Sequence, residues 1–278
     1  MKDFTGKVAV ITGAGRGIGR GIALHCAQNG MKIVLAGFGM ESITRTAADL
    51  RAMGAETLIV QTDVSQLADV ENLAEKSFGS FGGVDLLVNN AGVAVHASVL
   101  DATMDDWNWV MNVNFYGVLY GARVFIPHMI EQKTTSHIVN VSSLAGIVPG
   151  GGSYSVSKHA VVVLTEALYS ELAQKAPHVK VSVYCPGWVA TEFSTIERSR
   201  PERFKANATQ LTDEKRAEWS NSLANGYSIE ESARILFAGI KENNLYVGPK
   251  AFKKQIPELE NAVLARAERI IHEQNPEP

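Results

Sequence analysis

The residues best suited to acid–base chemistry are a tyrosine and a lysine near the start of one predicted helix. Tyr154 and Lys158 stand at positions i and i+4, so their side chains share one helical face. A tyrosine hydroxyl ordinarily titrates near ~10. An ammonium group ~4 Å away stabilises the phenolate by roughly 4 kcal/mol at an effective dielectric constant of about 20. The spacing therefore predicts a tyrosine whose pKa is lowered toward neutrality and which exchanges a proton with an alcohol or alkoxide oxygen.

A pair of serines precedes this helix. Ser142 and Ser143 follow a predicted strand, and Tyr154 comes eleven residues after Ser143. A hydroxyl donor at the end of a strand can bind a substrate oxygen and stabilise the negative charge that develops on it. A lone Tyr-x-x-x-Lys pattern usually reflects packing, whereas the serine-bearing strand upstream favours a catalytic interpretation.

A glycine-rich turn separates the first predicted strand from the first predicted helix. Residues 12–20 read Thr-Gly-Ala-Gly-Arg-Gly-Ile-Gly-Arg. Glycines permit a tight turn and close approach of a ligand to the backbone, while the free N–H groups and positive dipole end of the helix attract a pyrophosphate. An ordinary β–α turn can also be glycine-rich, but the location at the first strand-to-helix junction favours dinucleotide binding.

Short β-branched runs alternate with helix-length stretches along the chain. Continuous apolar runs are typical of parallel strands buried on both faces, and the stretches between them can serve as crossover helices. The strand-like runs are 8–11, 33–35, 58–60, 86–88, 138–141 and 179–183, with a last short run at 245–247. The helical stretches are 17–29, 41–53, 66–79, 105–131 and 154–176. The pattern predicts a Rossmann-like, doubly wound parallel α/β sheet of about seven strands, built as a single domain over residues 1–278.

The motifs occur in the order of a known family. The glycines of the first turn form Thr-Gly-x-x-x-Gly-x-Gly, residues 89–92 read Asn-Asn-Ala-Gly, and Tyr154 opens Tyr-x-x-x-Lys. Residues 186–191 read Pro-Gly-Trp-Val-Ala-Thr, similar to a Pro-Gly-x-Val-x-Thr element. Together these motifs resemble the short-chain dehydrogenase/reductase family over about two-thirds of the chain.

The resemblance implies roles for individual residues. It implies that Tyr154 is the acid–base residue, that Lys158 also holds the nicotinamide ribose, and that the second serine, Ser143, binds the substrate oxygen. It implies that Asn114, with Asn112 as the fallback, takes part in a proton relay. The cofactor residues implied in the same way are Gly13, Gly15, Arg16, Gly17, Ile18, Gly19, Asp63, Val64, Asn90, Ala91, Gly92, Tyr154, Lys158, Pro186, Gly187, Val189 and Thr191.

The choice between NADP(H) and NAD(H) depends on two positions. An acidic residue after the second strand would bind the adenosine ribose hydroxyls and repel a 2′-phosphate, but residues 36–39 read Ala-Gly-Phe-Gly. Arg16 occupies the place where a basic residue favours NADP in similar family members, and a guanidinium group suits a phosphate. We predict NADP(H). NAD(H) remains the alternative because a second arginine after the second strand is missing.

The resemblance implies reversible oxidoreduction of a carbonyl or secondary alcohol. We expect residues 193–226 to form a helical lid and residues 257–273 a C-terminal helix. With loops 93–100 and 144–153, this lid indicates a mid-sized, partly apolar substrate. The alternatives are an NAD-dependent alcohol dehydrogenase of the same family, an epimerase or dehydratase on the same fold, and a non-catalytic dinucleotide-binding regulator. The regulator is disfavoured because Ser, Tyr and Lys are all present.

Composition limits the partners. A net charge of −3 offers no general attraction to nucleic acid or anionic lipid, and the sequence contains no run of 18 apolar residues. The first residues leave no room for a signal peptide, and Cys26 and Cys185 are the only cysteines, so we expect a cytoplasmic protein. The histidines show no ligand spacing, so no metal is expected. The family resemblance implies a homodimer or homotetramer formed through helices 105–131 and 154–176.

Overall fold

Seven parallel strands form one sheet in the computed structural model, which describes residues 1–255 and 257–272. The strands are β1 (Val8–Thr12), β2 (Lys32–Gly37), β3 (Thr57–Gln61), β4 (Leu86–Asn89), β5 (Ser136–Val141), β6 (Val179–Tyr184) and β7 (Tyr246–Val247). Their spatial order is β3-β2-β1-β4-β5-β6-β7. The order reverses between β1 and β4, and in such sheets ligands bind in the crevice outside the carboxyl ends of the strands at that point. The predicted doubly wound fold is confirmed.

Helices cover both faces of the sheet. They are α1 (Gly17–Gln28), α2 (Met40–Ala52), α3 (Leu67–Phe81), α4 (Met104–Met111), α5 (Gly117–Glu131), α6 (Gly152–Lys175), α7 (Asp213–Ala224), α8 (Ile229–Glu242), α9 (Pro249–Phe252) and α10 (Leu259–Ile271). Helix α1 packs against α8, and α3 packs against α5. In β1, Ala9 and Ile11 enter one apolar cluster while Val10 enters the other, because successive side chains of a strand point to opposite faces. Both faces of each central strand are therefore buried, which explains the continuous apolar runs.

The long fourth crossover is not a continuous α-helix. A π-helical turn, Asn112–Tyr116, separates α4 from α5. Gly117, the first residue of α5, packs against the loop that follows β3. A Cβ added at Gly117 would lie 2.8 Å from a methyl group of Val64 in that loop. Turns of this kind are frequent at functional sites because they redirect one side chain of a helix. Here the π-turn carries Asn114, which is fully buried.

The segment 193–226 consists of two 3₁₀ turns followed by α7. The 3₁₀ turns are Phe193–Ser199 and Glu202–Phe204. A buried ion pair joins this segment to α4, since Arg200 donates to Asp106 at 2.7 Å with both side chains at most 3% exposed. The guanidinium group of Arg200 also lies 4.3 Å from the ring centre of Trp109. These contacts hold the segment over the carboxyl edge of the sheet.

The C-terminal helix predicted over 257–273 corresponds to α10, and residue 273 lies outside the described residues.

No helix in the described part of the chain is both long enough and apolar enough to cross a membrane. Within residues 1–255 and 257–272, no group of three or more His, Cys, Asp or Glu side chains is arranged to hold a metal ion.

Candidate active site

A cleft of about 1070 Å³ opens at the carboxyl ends of the central strands. It gathers nearly all of the residues that the sequence motifs indicated, although they come from segments far apart in the chain. Those lining the cleft are Gly13, Gly15, Arg16, Gly17, Ile18, Gly19, Asp63, Val64, Asn90, Ala91, Gly92, Ser143, Tyr154, Lys158, Pro186, Gly187, Val189 and Thr191. Asn114 is the exception among the predicted site residues.

The glycine turn has the form of a diphosphate cradle. Gly17 has φ +54°, and a Cβ there would lie 3.2 Å from the methyl group of Thr191 across the cleft. A Cβ on Gly13 would lie 2.9 Å from the Cα atom of Ala91. Helix α1 begins after Arg16 with no side-chain cap and no acidic residue in its first turn. Its first N–H groups therefore fit a bound anion, as a pyrophosphate requires.

Thr12 joins the glycine turn to the Asn-Asn-Ala-Gly loop, a contact that the sequence analysis missed. Its hydroxyl accepts hydrogen bonds from the backbone N–H groups of Asn90 (2.9 Å) and Ala91 (3.0 Å). The Asn90 side chain donates in return to the carbonyl of Thr12 at 2.8 Å. These bonds hold the two loops at a fixed separation. The position of Thr12 as the first residue of the glycine motif was the sequence signal that could have predicted this contact.

Asp63, in the loop after β3, accepts hydrogen bonds from two different segments of the chain. Its carboxylate accepts from the Ser65 hydroxyl at 2.6 Å and from Arg203 of the second 3₁₀ turn, also at 2.6 Å. Arg203 donates to the Ser65 hydroxyl as well, at 2.7 Å. Phe38, which follows β2, also lines the cleft and is half exposed. Sequence reasoning found Asp63 but not its partner Arg203, 140 residues away.

Tyr154, Lys158 and Ser143 meet in the inner part of the cleft. Lys158 is 3% exposed and its ammonium group donates to the backbone carbonyl of Val141 at 2.9 Å. The Lys158 nitrogen lies 5.7 Å from the ring centre of Tyr154. Hydrogen bonding with the Ser143 hydroxyl lowers the pKa of Tyr154, but the burial of Tyr154 raises this pKa by more.

The pKa values differ from the expectation drawn from helical spacing. Burial raises the pKa of Tyr154 to about 12, and burial lowers the pKa of Lys158 to about 8. The predicted lowering of the tyrosine pKa toward neutrality is therefore wrong for this structure. The reason is that the ammonium group binds the Val141 carbonyl while the removal of water penalises the phenolate. At pH 7 the tyrosine is a neutral donor and the lysine is a cation.

The two serines before Tyr154 have different environments. Ser142 is buried, and its hydroxyl donates to the backbone carbonyl of Lys158 at 2.8 Å, which ties β5 to α6. Ser143 is partly exposed and lines the cleft. Both serines border the cleft, but Ser143 has the more exposed side chain, while the hydroxyl of Ser142 is used within the fold.

Asn114 lies behind the cleft wall. Its amide group donates to the carbonyl of Val93 (2.9 Å) and the hydroxyl of Ser157 (3.0 Å), and its oxygen accepts from the N–H of Val93 (2.8 Å). Ser157 in turn donates to the carbonyl of Tyr154 at 2.7 Å. The side chain of Asn114 is thus engaged on both sides. Ser157, a further residue that the sequence analysis missed, connects it to the helix that carries Tyr154 and Lys158.

The outer part of the cleft beyond Tyr154 has an apolar and aromatic wall. Phe193 and Trp219 come from the segment 193–226, and their rings meet edge to face at 5.5 Å. The imidazole ring of His96 packs against Trp219 in a tilted arrangement, with ring centres 4.4 Å apart. The other apolar side chains that line this part are Val93, Val95, Trp109, Val113, Val148, Ile196, Leu211 and Leu223. The cleft therefore offers a polar, glycine-rich end and an apolar end on either side of Tyr154.

Known proteins resemble the chain over most of its length. Residues 7–202 match the family model of the short chain dehydrogenases. The CLA biosynthesis dehydrogenase/reductase of Lactiplantibacillus plantarum is 35% identical over 256 residues, covering 89% of each chain. The oxidoreductase SadH of Mycobacterium tuberculosis is 38% identical over 193 residues, which is 69% of this chain and 70% of SadH.

Solved structures agree in fold and sequence. The crystal structure of a short chain dehydrogenase/reductase from Burkholderia phymatum in complex with NAD is 40% identical, has a TM-score of 0.92, and matches over 100% of this chain and 99% of that one. Levodione reductase is 27% identical with a TM-score of 0.72, over 86% of this chain and 91% of its own. The family model and these relatives together show that the chain belongs to the short-chain dehydrogenase family of oxidoreductases.

Proposed function

We propose that the chain is an NADP(H)-dependent oxidoreductase that acts on a carbonyl or secondary alcohol of a mid-sized, partly apolar substrate. The observation that carries this proposal is the meeting of Ser143, Tyr154 and Lys158 between two unlike halves of one cleft. The glycine turn at one end fits a pyrophosphate, and the apolar wall at the other end fits an organic substrate. A nicotinamide dinucleotide bound there would donate a hydride to the reacting carbon in reduction and accept one from it in oxidation.

The chain's own residues supply the proton and the charge stabilisation. In reduction, Ser143 donates a hydrogen bond to the substrate oxygen as negative charge develops on it. Tyr154 transfers its hydroxyl proton to that oxygen, so that the carbonyl becomes an alcohol, and oxidation reverses the transfer. Lys158 holds a positive charge beside the ribose position, where it stabilises the tyrosinate left after transfer.

Asn114 takes a positioning role in this proposal. Since its side-chain amide is occupied by Val93 and Ser157, it orients the loop after β4 and the first turn of α6. Any contact of Asn114 with a relay water would use its backbone carbonyl, which the π-helical turn re-orients. The proton-relay role that the family resemblance implies for Asn114 stays a prediction, and these contacts add a positioning role that acts through Tyr154 and Lys158.

The preference for NADP(H) is supported by Arg16 and by residues 36–39. Arg16 lines the cleft beside the glycine turn, and residues 36–39, at the end of β2 and directly after it, include no carboxylate that would repel a 2′-phosphate. NAD(H) is the second candidate, because the Burkholderia phymatum relative was crystallised with NAD. Both cofactors require the same cradle, so the choice depends on the interaction with the adenosine ribose.

Arg16→Ala should weaken NADPH binding by about tenfold, because a charge-assisted hydrogen bond contributes roughly 1.5–3 kcal/mol. NADH binding should change little. Fluorescence titration of the reduced nicotinamide with each cofactor measures both affinities. Arg20→Ala is the matched control, since Arg20 lies four residues further along, in the first turn of α1, but pairs with Asp49 at 2.9 Å. An equal loss for NADPH and NADH in Arg16→Ala would refute the phosphate role and favour NAD(H).

The segment 193–226 is proposed to be the lid of the cleft. Its first part is attached at two places, through the buried pair of Arg200 with Asp106 and the exposed pair of Arg203 with Asp63. An exposed pair is screened by salt and contributes little, whereas a buried pair is costly to break. The lid should therefore open at Arg203 and stay attached at Arg200.

Arg203→Ala should accelerate cofactor dissociation by up to about fivefold, the effect of losing an exposed ion pair of up to ~1 kcal/mol. Stopped-flow displacement of NADPH measures the rate. The wild-type rate should rise more steeply with salt than the variant rate, because the variant lacks one of the ion pairs that salt screens. The exposed Arg198 of the same segment provides the control, as Arg198→Ala. Identical rates and salt dependence in wild type and Arg203→Ala would exclude an opening at this contact.

A homodimer or homotetramer in the cytoplasm completes the proposal. Helix α6 and the π-turn before α5 carry exposed apolar side chains, namely Tyr116, Val156, Val163 and Tyr169. Such side chains on one long helix and the turn next to it are suited to pairing between subunits. Light scattering on the purified protein measures the assembly state, and a mass of one chain would refute the proposed oligomer.

A further inference from the structure

A row of four aromatic rings leads from Tyr154 into the outer part of the cleft. The ring centres of Tyr154 and Phe193 are 6.1 Å apart, those of Phe193 and Trp219 are 5.5 Å apart, and those of Trp219 and His96 are 4.4 Å apart. All four residues line the cleft. The row begins at the residue proposed to transfer the proton and ends at an imidazole, so it follows the space that a substrate body would occupy.

The middle of this row is held in place by packing. Trp219 is 6% exposed, and its ring lies edge to face with Phe193 at an interplanar angle of 82°. The hydroxyl of Ser220 donates to that of Ser194 at 2.7 Å, which joins α7 to the first 3₁₀ turn next to both rings. A rigid wall of aromatic faces and edges attracts a planar π-system more strongly than a saturated body of equal area. The wall therefore favours an aromatic or conjugated substrate.

His96 gives the far end of the row a polar group. No hydrogen-bond partner of either ring nitrogen is found among residues 1–255 and 257–272. Partial burial and the positive charge of Lys215 lower the pKa of His96, so the ring is neutral at pH 7. A neutral imidazole has one N–H donor and one nitrogen acceptor. It can therefore bind a hydroxyl or a carbonyl group of a ligand.

The charged side chains beside the aromatic row do not favour an anionic ligand. Lys215 acts on His96, while Asp101 belongs to the same loop as His96, and Glu192 and Glu218 adjoin Phe193 and Trp219 in the sequence; all four charged residues line the cleft. Carboxylates next to the row would repel a carboxylate of the ligand, whereas an uncharged hydroxyl is indifferent to them. His96 is therefore better suited to a neutral polar group than to an acid.

We propose that His96 and Trp219 determine substrate specificity, and that the substrate is an uncharged ketone, or its alcohol, with a planar aromatic or conjugated body. Its hydrogen-bonding group lies at the end remote from the carbonyl and binds His96, while Trp219 and Phe193 contact the planar body. This inference rests on the proposed function, since it places the reacting carbonyl at Tyr154.

Three ketones of the same skeleton test both parts. They are 2-acetyl-6-hydroxynaphthalene, 2-acetylnaphthalene and 2-acetyldecahydronaphthalene. We expect kcat/KM of the wild type to fall in two steps. The first step is a fall of about fivefold when the hydroxyl is removed, and the second is a further fall of about fivefold when the rings are saturated. His96→Phe should lose the first step and keep the second, because a phenyl ring can still pack against Trp219. Trp219→Leu should lose the second step.

The controls separate specificity from folding and from the chemistry. Trp107→Leu makes the same change at a tryptophan that does not line the cleft, and it should keep both steps. Calorimetric titration of the three ketones into the NADPH complex of Tyr154→Phe measures the same two steps as differences in binding affinity, without turnover. Steps of the same size in His96→Phe, Trp219→Leu and wild type would overturn the specificity roles. Failure of every ketone to react, with both steps still present in the binding data, would instead refute the proposed reaction.

Discussion

Tyr154→Phe is expected to lower kcat/KM by roughly 10²–10⁴-fold, the usual contribution of a positioned proton donor. The substitution removes one hydroxyl and keeps the ring, whose centre lies 6.1 Å from that of Phe193. The packing of the cleft and the glycine turn should therefore be unchanged, and NADPH should bind within about twofold of the wild-type affinity. Steady-state kinetics and a fluorescence titration of the cofactor measure the two quantities on one preparation.

The control for this substitution lies on the same helix. Tyr169 of α6 is 46% exposed, so Tyr169→Phe removes a hydroxyl that faces away from the cleft and should leave turnover intact. Turnover of Tyr154→Phe at the wild-type rate would mean that another group supplies the proton. Loss of turnover together with loss of cofactor binding would mean that the tyrosine is structural.

Lys158→Met is expected to abolish turnover and at the same time to increase the free energy of unfolding at pH 7. Burial lowers the pKa of Lys158 to about 8, from an ordinary value of 10.5. A shift of this size corresponds to a cost of roughly 3 kcal/mol for holding the charged lysine in the fold. Methionine removes that cost but leaves the Val141 carbonyl without its donor, which costs about 1–3 kcal/mol. The net gain should be about 1 kcal/mol.

The pH dependence has a definite sign. Between about pH 8 and 10.5 the unfolded lysine keeps its proton while the folded lysine has lost it, so the unfolded state binds more protons. The stability of the wild type relative to Lys158→Met must then rise with pH across this window. The variant should be the more stable protein at pH 7 and the less stable one near the top of the window. Urea unfolding of the cofactor-free proteins at a series of pH values measures the difference.

Lys175→Met provides the matched control, because Lys175 ends the same helix with its side chain 73% exposed. Its stability difference from the wild type should vary little between pH 7 and 10. A Lys158→Met difference that is equally flat would contradict a buried ammonium group with a lowered pKa. Retained turnover in Lys158→Met would contradict its proposed part in the reaction.

The order and extent of most of the secondary structure were predictable from the sequence, although α8 (Ile229–Glu242) was not among the predicted helices. The run 8–11 corresponds to Val8–Thr12, and the stretch 154–176 corresponds to Gly152–Lys175. The reason is physical, because a strand buried on both faces must be apolar at nearly every position and parallel strands require crossover helices. The departure in the fourth crossover had no local signal, since the π-turn at Asn112–Tyr116 forms in a stretch of continuous helical character.

The membership of the site was also largely predictable. The motifs that carry Gly13, Asn90, Ser143 and Thr191 each follow a strand, and the carboxyl ends of parallel strands meet at one edge of the sheet. Strand position alone therefore brings these residues together. The sequence determined the family, the fold and the motif residues that line the cleft, apart from Asn114, which lies behind the cleft wall.

The states and partners of those residues were decided by the tertiary structure. Helical spacing placed Lys158 near Tyr154 but could not show that a backbone carbonyl holds the ammonium group of Lys158 or that burial raises the pKa of Tyr154. Arg203 reaches Asp63, and Trp219 reaches His96, across more than one hundred residues of chain. Desolvation and long-range pairing depend on what surrounds a side chain after packing, and no local pattern of residue types encodes that environment.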